Sequence, residues 1–407
     1  MNAAPRSALA DPTSAQPNTG EVFGYACAQI HRAAAALWPD ATVQLGCHVP
    51  SVTGYVHRIR VNERELFAKH SMLGVSLVSV LRGSCGNWSK VAEGQQKYAA
   101  NPDSLLMREA AQLGFLADIK GPRACVVAGV RHGVLFTEPV HGPSLTNLVL
   151  SNPGDTGELL RAAWKQLNPL HKPELLDRCG TLPAIGERSI AGTFLRKFNG
   201  ISGSTYLDQL GGLRLPSAMG AEVSALLRQV VTRLLRIRTS VLPTEHPVLA
   251  YGDLKPEHVL YPDGPDARPV FLDPGLLRAG ATVDSAKLIS RTILSLIASS
   301  PGEQTTRRVI EGIEVFATAL LADQSARARH RWLREVMALW LMDTVNITST
   351  YLTAPLALPL PEQGAAVAKR AVTVCRMVDE ISGPLDRGGG TASVWDAALD
   401  CAAGAGA

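Results

Sequence analysis

Apolar and polar positions follow two different rhythms along the chain, and the change between them falls near residue 140. From Glu21 to Leu37 the apolar residues have helical spacing. Strand-like pieces follow at Thr53–Val61 and Glu65–Lys69, with Asn62-Glu-Arg-Glu65 suited to a hairpin turn between them. Leu77 to Ala100 is polar and partly helical, within an insertion over 72–100. Asp103 is placed to cap a helix through Ser104–Leu116. Two more strands are expected at Ala124–Val130 and Gly133–Thr137, and His141-Gly-Pro-Ser144 then breaks the pattern. After it the rhythm is helical, over roughly 144–151, 155–170, 190–212, 219–240, 284–299, 303–323, 325–353 and 364–383. The pattern predicts an α+β protein with a small strand-rich lobe over 21–140 and a larger, mainly helical lobe over 141–385. Residues 1–20, rich in Ala, Pro, Ser and Thr, read as a disordered tail, and 386–407 as a flexible one.

Composition narrows the function without naming it. A chain of 407 residues with 46% hydrophobic and 19% charged residues is an ordinary globular protein, long enough for two lobes. A net charge of +4 leaves no footprint for nucleic acid; the basic run Arg228–Arg238 reads as a solvated helix face. Seven scattered cysteines contain no Cys-x-x-Cys pair, which argues against a disulfide framework or zinc site and fits a reducing cytoplasm. The N-terminus lacks the apolar core of a signal peptide, and no apolar run reaches the ~18 residues of a membrane span.

The chemistry gathers in two short stretches of the second lobe. Val248-Leu-Ala-Tyr-Gly-Asp-Leu-Lys-Pro-Glu-His-Val-Leu-Tyr261 and Val270-Phe-Leu-Asp-Pro-Gly275 each place an aspartate at a turn after an apolar run. Either alone would be a turn signal. Together, with Asp253 and Asp273 twenty positions apart, they suggest two carboxylates in one pocket.

The layout and both motifs resemble the protein-kinase-like fold, and within it the aminoglycoside phosphotransferase family and its small-molecule kinase relatives. The resemblance covers roughly residues 45–350. It implies an ATP-dependent kinase, with a hydroxyl on a polar small molecule (an aminoglycoside, aminocyclitol, nucleoside antibiotic or related sugar) as acceptor. Asp253 would orient that hydroxyl and take its proton, and Lys255 would offset charge on the transferred phosphate. Asp273 would hold Mg²⁺ through hard carboxylate oxygens. Lys69 would reach the α- and β-phosphates, paired with Glu109 on the next helix. Gly54 occupies the phosphate-loop position, and Glu138 and Val140 the hinge where backbone groups meet adenine. Asp284, Asp343 and Asn346 are the candidates for the acceptor side, with Tyr206–Leu213 as a lid.

Three departures from the family pattern bear on function. Tyr251-Gly252 stands where protein kinases have His-Arg, which favours a small-molecule acceptor over a protein. His258 replaces the Asn that gives oxygen to a second Mg²⁺; its imidazole suits Mn²⁺ better and leaves a nucleotide-binding pseudokinase scaffold open as an alternative. Pro274 within Asp-Pro-Gly fixes φ and resists the flip of regulated kinases.

Overall fold

The computed structural model describes residues 16–119, 121–178, 182–199, 203, 206–210, 214–241 and 247–407. Residues 1–15 of the expected tail lie outside this set. Helix α1 (Thr19–Leu37) starts two residues earlier than the apolar pattern indicated. Asn18 makes a capping box with Glu21, so Thr19 and Gly20 belong to the helix rather than the tail.

Five antiparallel strands build the first lobe: β1 (Val43–Val49), β2 (Tyr55–Val61), β3 (Arg64–His70), β4 (Val127–Arg131) and β5 (Val134–Thr137). Their order in the sheet is β1-β2-β3-β5-β4. The β2–β3 hairpin turns on Asn62, whose φ of 53° is one that Asn adopts readily. Strand alternation then sorts the faces. Tyr55, Ile59, Leu66 and Ala68 are buried in the core with Val22, Ala26 and Ile30 of α1. Lys69, between the buried Ala68 and His70, points to the opposite face, toward the second lobe.

The 72–100 insertion contains two helices, α2 (Leu77–Leu81) and α3 (Trp88–Ala100). Helix α4 (Leu105–Asp118) follows, and its cap is Ser104 rather than Asp103. Ser104 takes the extended cap conformation, while the Asp103 amide bonds to the Asn101 side chain at 2.9 Å.

The second lobe is built on two neighbouring helices, Thr282–Ser299 and Ala326–Thr353, both buried over most of their length. The helices Ser217–Val241, Glu303–Leu321 and Ala371–Asp386 surround them. The apolar stretch expected as one helix over 364–383 is two, Glu362–Lys369 and Ala371–Asp386; within 190–212, Ile190–Phe198 is a helix, 206–208 are helical as well, and 200–202, 204–205 and 211–212 lie outside the described residues. The 386–407 tail is corrected outright. Thr391–Gly406 is a helix that buries Val394, Trp395, Ala398, Leu399 and Ala402 in the main core, because its apolar residues recur at helical spacing. Among the described residues no helix is long and apolar enough to cross a membrane.

Two short ribbons frame the loops that matter. Val248–Ala250 pairs with Leu277–Ala279, and Val259–Leu260 with Val270–Phe271. The turns between these pieces hold Asp253 and Asp273. The lobes are joined beside them, where the Cys125 amide donates to the Phe271 carbonyl at 3.2 Å and the Phe271 amide to Arg123 at 2.8 Å.

Candidate active site

Backbone geometry sets the two loops against each other. Gly252 has φ of 82°, and a Cβ there would lie 2.2 Å from the Gly275 carbonyl oxygen and 2.3 Å from Leu277 Cδ2. Only glycine allows this approach. The Gly275 amide donates to the Tyr251 carbonyl at 3.0 Å, and the Tyr251 hydroxyl donates to the Leu272 carbonyl at 2.9 Å. Asp273 itself is left-handed, with φ of 53°.

This packing, with β3 and α4 above it, gathers residues far apart in the chain. Lys69 Nζ lies 2.8 Å from Glu109 Oε1 and also contacts Asp273 Oδ1. Burial by itself would lower the Lys69 pKa, but the Asp273 and Glu109 carboxylates more than reverse this and keep the ammonium charged. Asp253 has Lys255 Nζ at 2.9 Å and Lys287 Nζ at 3.4 Å. Burial alone would raise its pKa, yet Lys255, Lys287 and Arg188 hold its carboxyl well below the usual carboxylate range. Asp273 is likewise held down against burial, chiefly by Lys69.

His258 Nδ1 lies 3.4 Å from Asp273 Oδ2 and makes no hydrogen bond, although the atom is buried. Burial, helped by Lys255, lowers its pKa and leaves the imidazole neutral at neutral pH, the form that can ligate a metal. Asp273 and His258 are the two protein groups that fit a divalent cation here. Among the described residues no cluster of three or more His, Cys, Asp or Glu side chains forms a complete metal cage. A cation at this place would take its remaining ligands from phosphate and water, as Mg²⁺ commonly does.

At the hinge, the Glu138 amide donates to the Val126 carbonyl at 2.9 Å and its side chain pairs with Arg64. The Glu138 carbonyl and the Val140 amide have no backbone partner among the described residues. Gly54 lies in the β1–β2 loop, where Ser51 Oγ accepts from the Thr53 and Gly54 amides at 3.3 and 3.4 Å. Tyr206, expected in a lid, sits beneath the Arg82 guanidinium at 4.3 Å and so links the first-lobe insertion to the second lobe; Gly211, Gly212 and Leu213 of that segment lie outside the described residues.

Two expected acceptor residues are corrected. Asp284 is fully buried, and both carboxylate oxygens are used: Oδ2 accepts from the Tyr251 amide at 2.8 Å and Oδ1 from the Gly252 amide at 2.7 Å. It holds the Tyr251–Asp253 loop from behind. Asp343 is bound by Lys287 at 2.7 Å, Arg291 at 2.8 Å and Ser290 at 2.9 Å, inside the helix pair. Its link to the site is indirect, through Lys287. Asn346 is also buried and donates to the Ile190 carbonyl at 3.0 Å, so part of its side chain ties two helices together.

Two residues of the site carried no motif: Lys287, 3.4 Å from Asp253, and Arg188. Arg188, at the end of the single turn Gly186–Arg188, contacts Glu109 Oε2 at 2.6 Å and donates to the Asp273 and Pro274 carbonyls at 2.9 and 3.0 Å. Nothing in the local pattern around Gly186-Glu-Arg188 marks it; the partners lie 79 or more positions away.

No family model matches the chain, and no curated protein matches it. Solved structures with a similar layout include an ethanolamine kinase of Plasmodium vivax, at 11% identity over 92% of each chain with a TM-score of 0.48. A choline kinase of Cryptosporidium parvum is 12% identical over 91% of this chain and 97% of its own, with a TM-score of 0.45. An aminoglycoside-3'-phosphotransferase of type VIII is 20% identical over 77% of this chain and 99% of its own, with a TM-score of 0.42.

Proposed function

We propose that this chain is an ATP-dependent phosphotransferase that moves the γ-phosphoryl group to a hydroxyl of a polar small molecule. The observation that carries the reading is the convergence at Lys69. Its ammonium touches Glu109 on one side and Asp273 on the other, while Asp253 sits on the adjoining loop among three cations. Phosphoryl transfer asks a protein mainly for positioning and for charge aimed at the phosphates, and this arrangement supplies both.

Lys69 would bind the α- and β-phosphates, kept charged and oriented by Glu109. The Glu138 carbonyl and Val140 amide would meet the adenine edge, with the Gly54 loop over the phosphates. Asp273, with His258, would hold a divalent cation that neutralises phosphate charge; Mg²⁺ suits the carboxylate and Mn²⁺ the imidazole. Asp253, with its lowered pKa, is a weak base in the resting state. A loose transition state needs little base strength, so its main work would be to orient the acceptor hydroxyl and take the proton late. Lys255 lies close enough to Asp253 to follow the transferred phosphoryl group.

The acceptor class retained from the sequence is an aminoglycoside, aminocyclitol, nucleoside antibiotic or related sugar. The test is ADP release with Mg²⁺ or Mn²⁺ against a panel of these compounds, for the wild type, Asp253→Asn and Asp273→Asn. Turnover with one acceptor that both substitutions abolish is the expected result. ATP binding without turnover would instead favour the nucleotide-binding scaffold that His258 brings into view.

A further inference from the structure

We propose that Arg188 is a positioning residue for phosphoryl transfer, which holds Glu109 and the Asp273 loop in register while Lys69 and Asp273 engage the nucleotide. The inference rests on the phosphotransferase reading above.

The segment that carries Arg188 touches both parts it would hold. The Ile185 amide donates to the Leu276 carbonyl at 3.1 Å, just beyond the metal loop. Gln112 of α4 donates to the Pro183 carbonyl and accepts from the Leu276 amide, each at 2.8 Å. Arg108 of α4 pairs with Glu187. From this strap the Arg188 side chain runs inward, only 19% exposed, against the site where a Gly275 Cβ would stand.

Its guanidinium closes a ring. Glu109 gives Oε1 to Lys69 and Oε2 to Arg188; Arg188 gives Nη1 to the backbone of Asp273 and Pro274; Asp273 returns to Lys69. A nucleotide draws Lys69 toward phosphate and Asp273 toward a cation, which weakens the direct contact between them. The Arg188 bonds, unlike the Lys69–Asp273 contact, are consumed by neither event, and they leave Glu109 placed to orient Lys69. They fix α4 through a fully buried carboxylate and support Asp273 in its left-handed conformation. The planar guanidinium makes these bonds from two nitrogens at once, which an ammonium cannot reproduce.

The experiment compares wild type, Arg188→Ala and Arg188→Lys in three measurements: steady-state ADP release from Mg·ATP, thermal midpoint, and hydrogen exchange. Arg188→Ala is expected to lower kcat about 10- to 100-fold, the scale of a small misplacement of reacting groups, with the acceptor KM changed less than about threefold. Guanidinium ion is expected to restore part of the Arg188→Ala rate and none of the Asp253→Asn rate, and Arg188→Lys to restore less than the added ion. Amides of α4 and of Gly275–Leu277 are expected to exchange faster in Arg188→Ala, with the Ala326–Thr353 helix unchanged. A kcat within about twofold of wild type, or a loss that follows the thermal midpoint and resists guanidinium, would overturn the inference. So would unchanged exchange at α4 and Gly275–Leu277. A wild type that turns over no ATP, yet shows this exchange difference, would count against phosphotransfer while upholding the role of Arg188 in holding the two parts together.

Discussion

Asp284 and Gly252 are locked together by a 2.7 Å hydrogen bond from backbone amide to carboxylate, and Asp284 takes the neighbouring Tyr251 amide at 2.8 Å with its other oxygen. The residue that follows is Asp253. The carboxylate therefore fixes the direction in which the Tyr251–Asp253 loop leaves its strand. Asp284→Asn keeps the shape but turns one acceptor into a donor that faces an amide. Loss of a bond to a charged group costs about 1.5–3 kcal/mol, so urea denaturation should show a fall of at least that size. The rate should drop further than stability alone explains, since Asp253 moves with the loop.

Asp343 offers a second test of a buried network. Lys287, Ser290 and Arg291 all converge on it, and Lys287 also reaches Asp253. Asp343→Ala leaves two buried cations without their carboxylate. Breaking a buried pair typically costs about 3–5 kcal/mol, and equilibrium denaturation should report a loss in that range. If the acceptor KM rose while stability held, Asp343 would read the acceptor after all.

His70 predicts a pH dependence. Burial lowers its pKa from the ordinary 6.5 to about 4 in the folded state. Between those values the unfolded chain binds a proton that the native protein refuses, so stability is full above pH 6.5 and falls as the pH drops toward 4. The effect amounts to about 3 kcal/mol across that window. Denaturant midpoints at a series of pH values should fall in that range, and His70→Gln should flatten this part of the profile.

The C-terminal helix predicts a truncation phenotype. Removal of residues 391–407 uncovers the core beneath Val394, Trp395 and Leu399. Each large aliphatic side chain contributes about 1.5–3 kcal/mol of burial before chain entropy is subtracted. The truncated protein should melt several degrees lower and bind more apolar dye, with the first lobe still folded.

The sequence by itself determined what depends on local periodicity and on groups that no turn alone explains. Strand alternation around Lys69 and the breaker near residue 140 follow from the spacing of apolar side chains, and so does the division into a strand-rich and a helical part. The Tyr251-Gly-Asp253 and Asp273-Pro-Gly275 turns are legible because each sits between short apolar runs, and the structure packs the two against each other beside Lys69 and Glu109. Tertiary structure alone decided which carboxylates face the site and which hold it up. Asp284 is an acceptor candidate in sequence because it follows the Asp273 motif at the family's distance, and Asp343 because a polar residue among apolar neighbours needs a partner, but that partner can be a backbone amide or a cation one helix away, and sequence records neither. Arg188 was invisible for the same reason. Its position is set by a strap seated on α4 and the Asp273–Leu277 segment, and an ion pair between residues 79 positions apart forms only when packing removes both from water. The C-terminal helix is hard to read in sequence because small residues carry a weak apolar signal until a complementary surface lies against them.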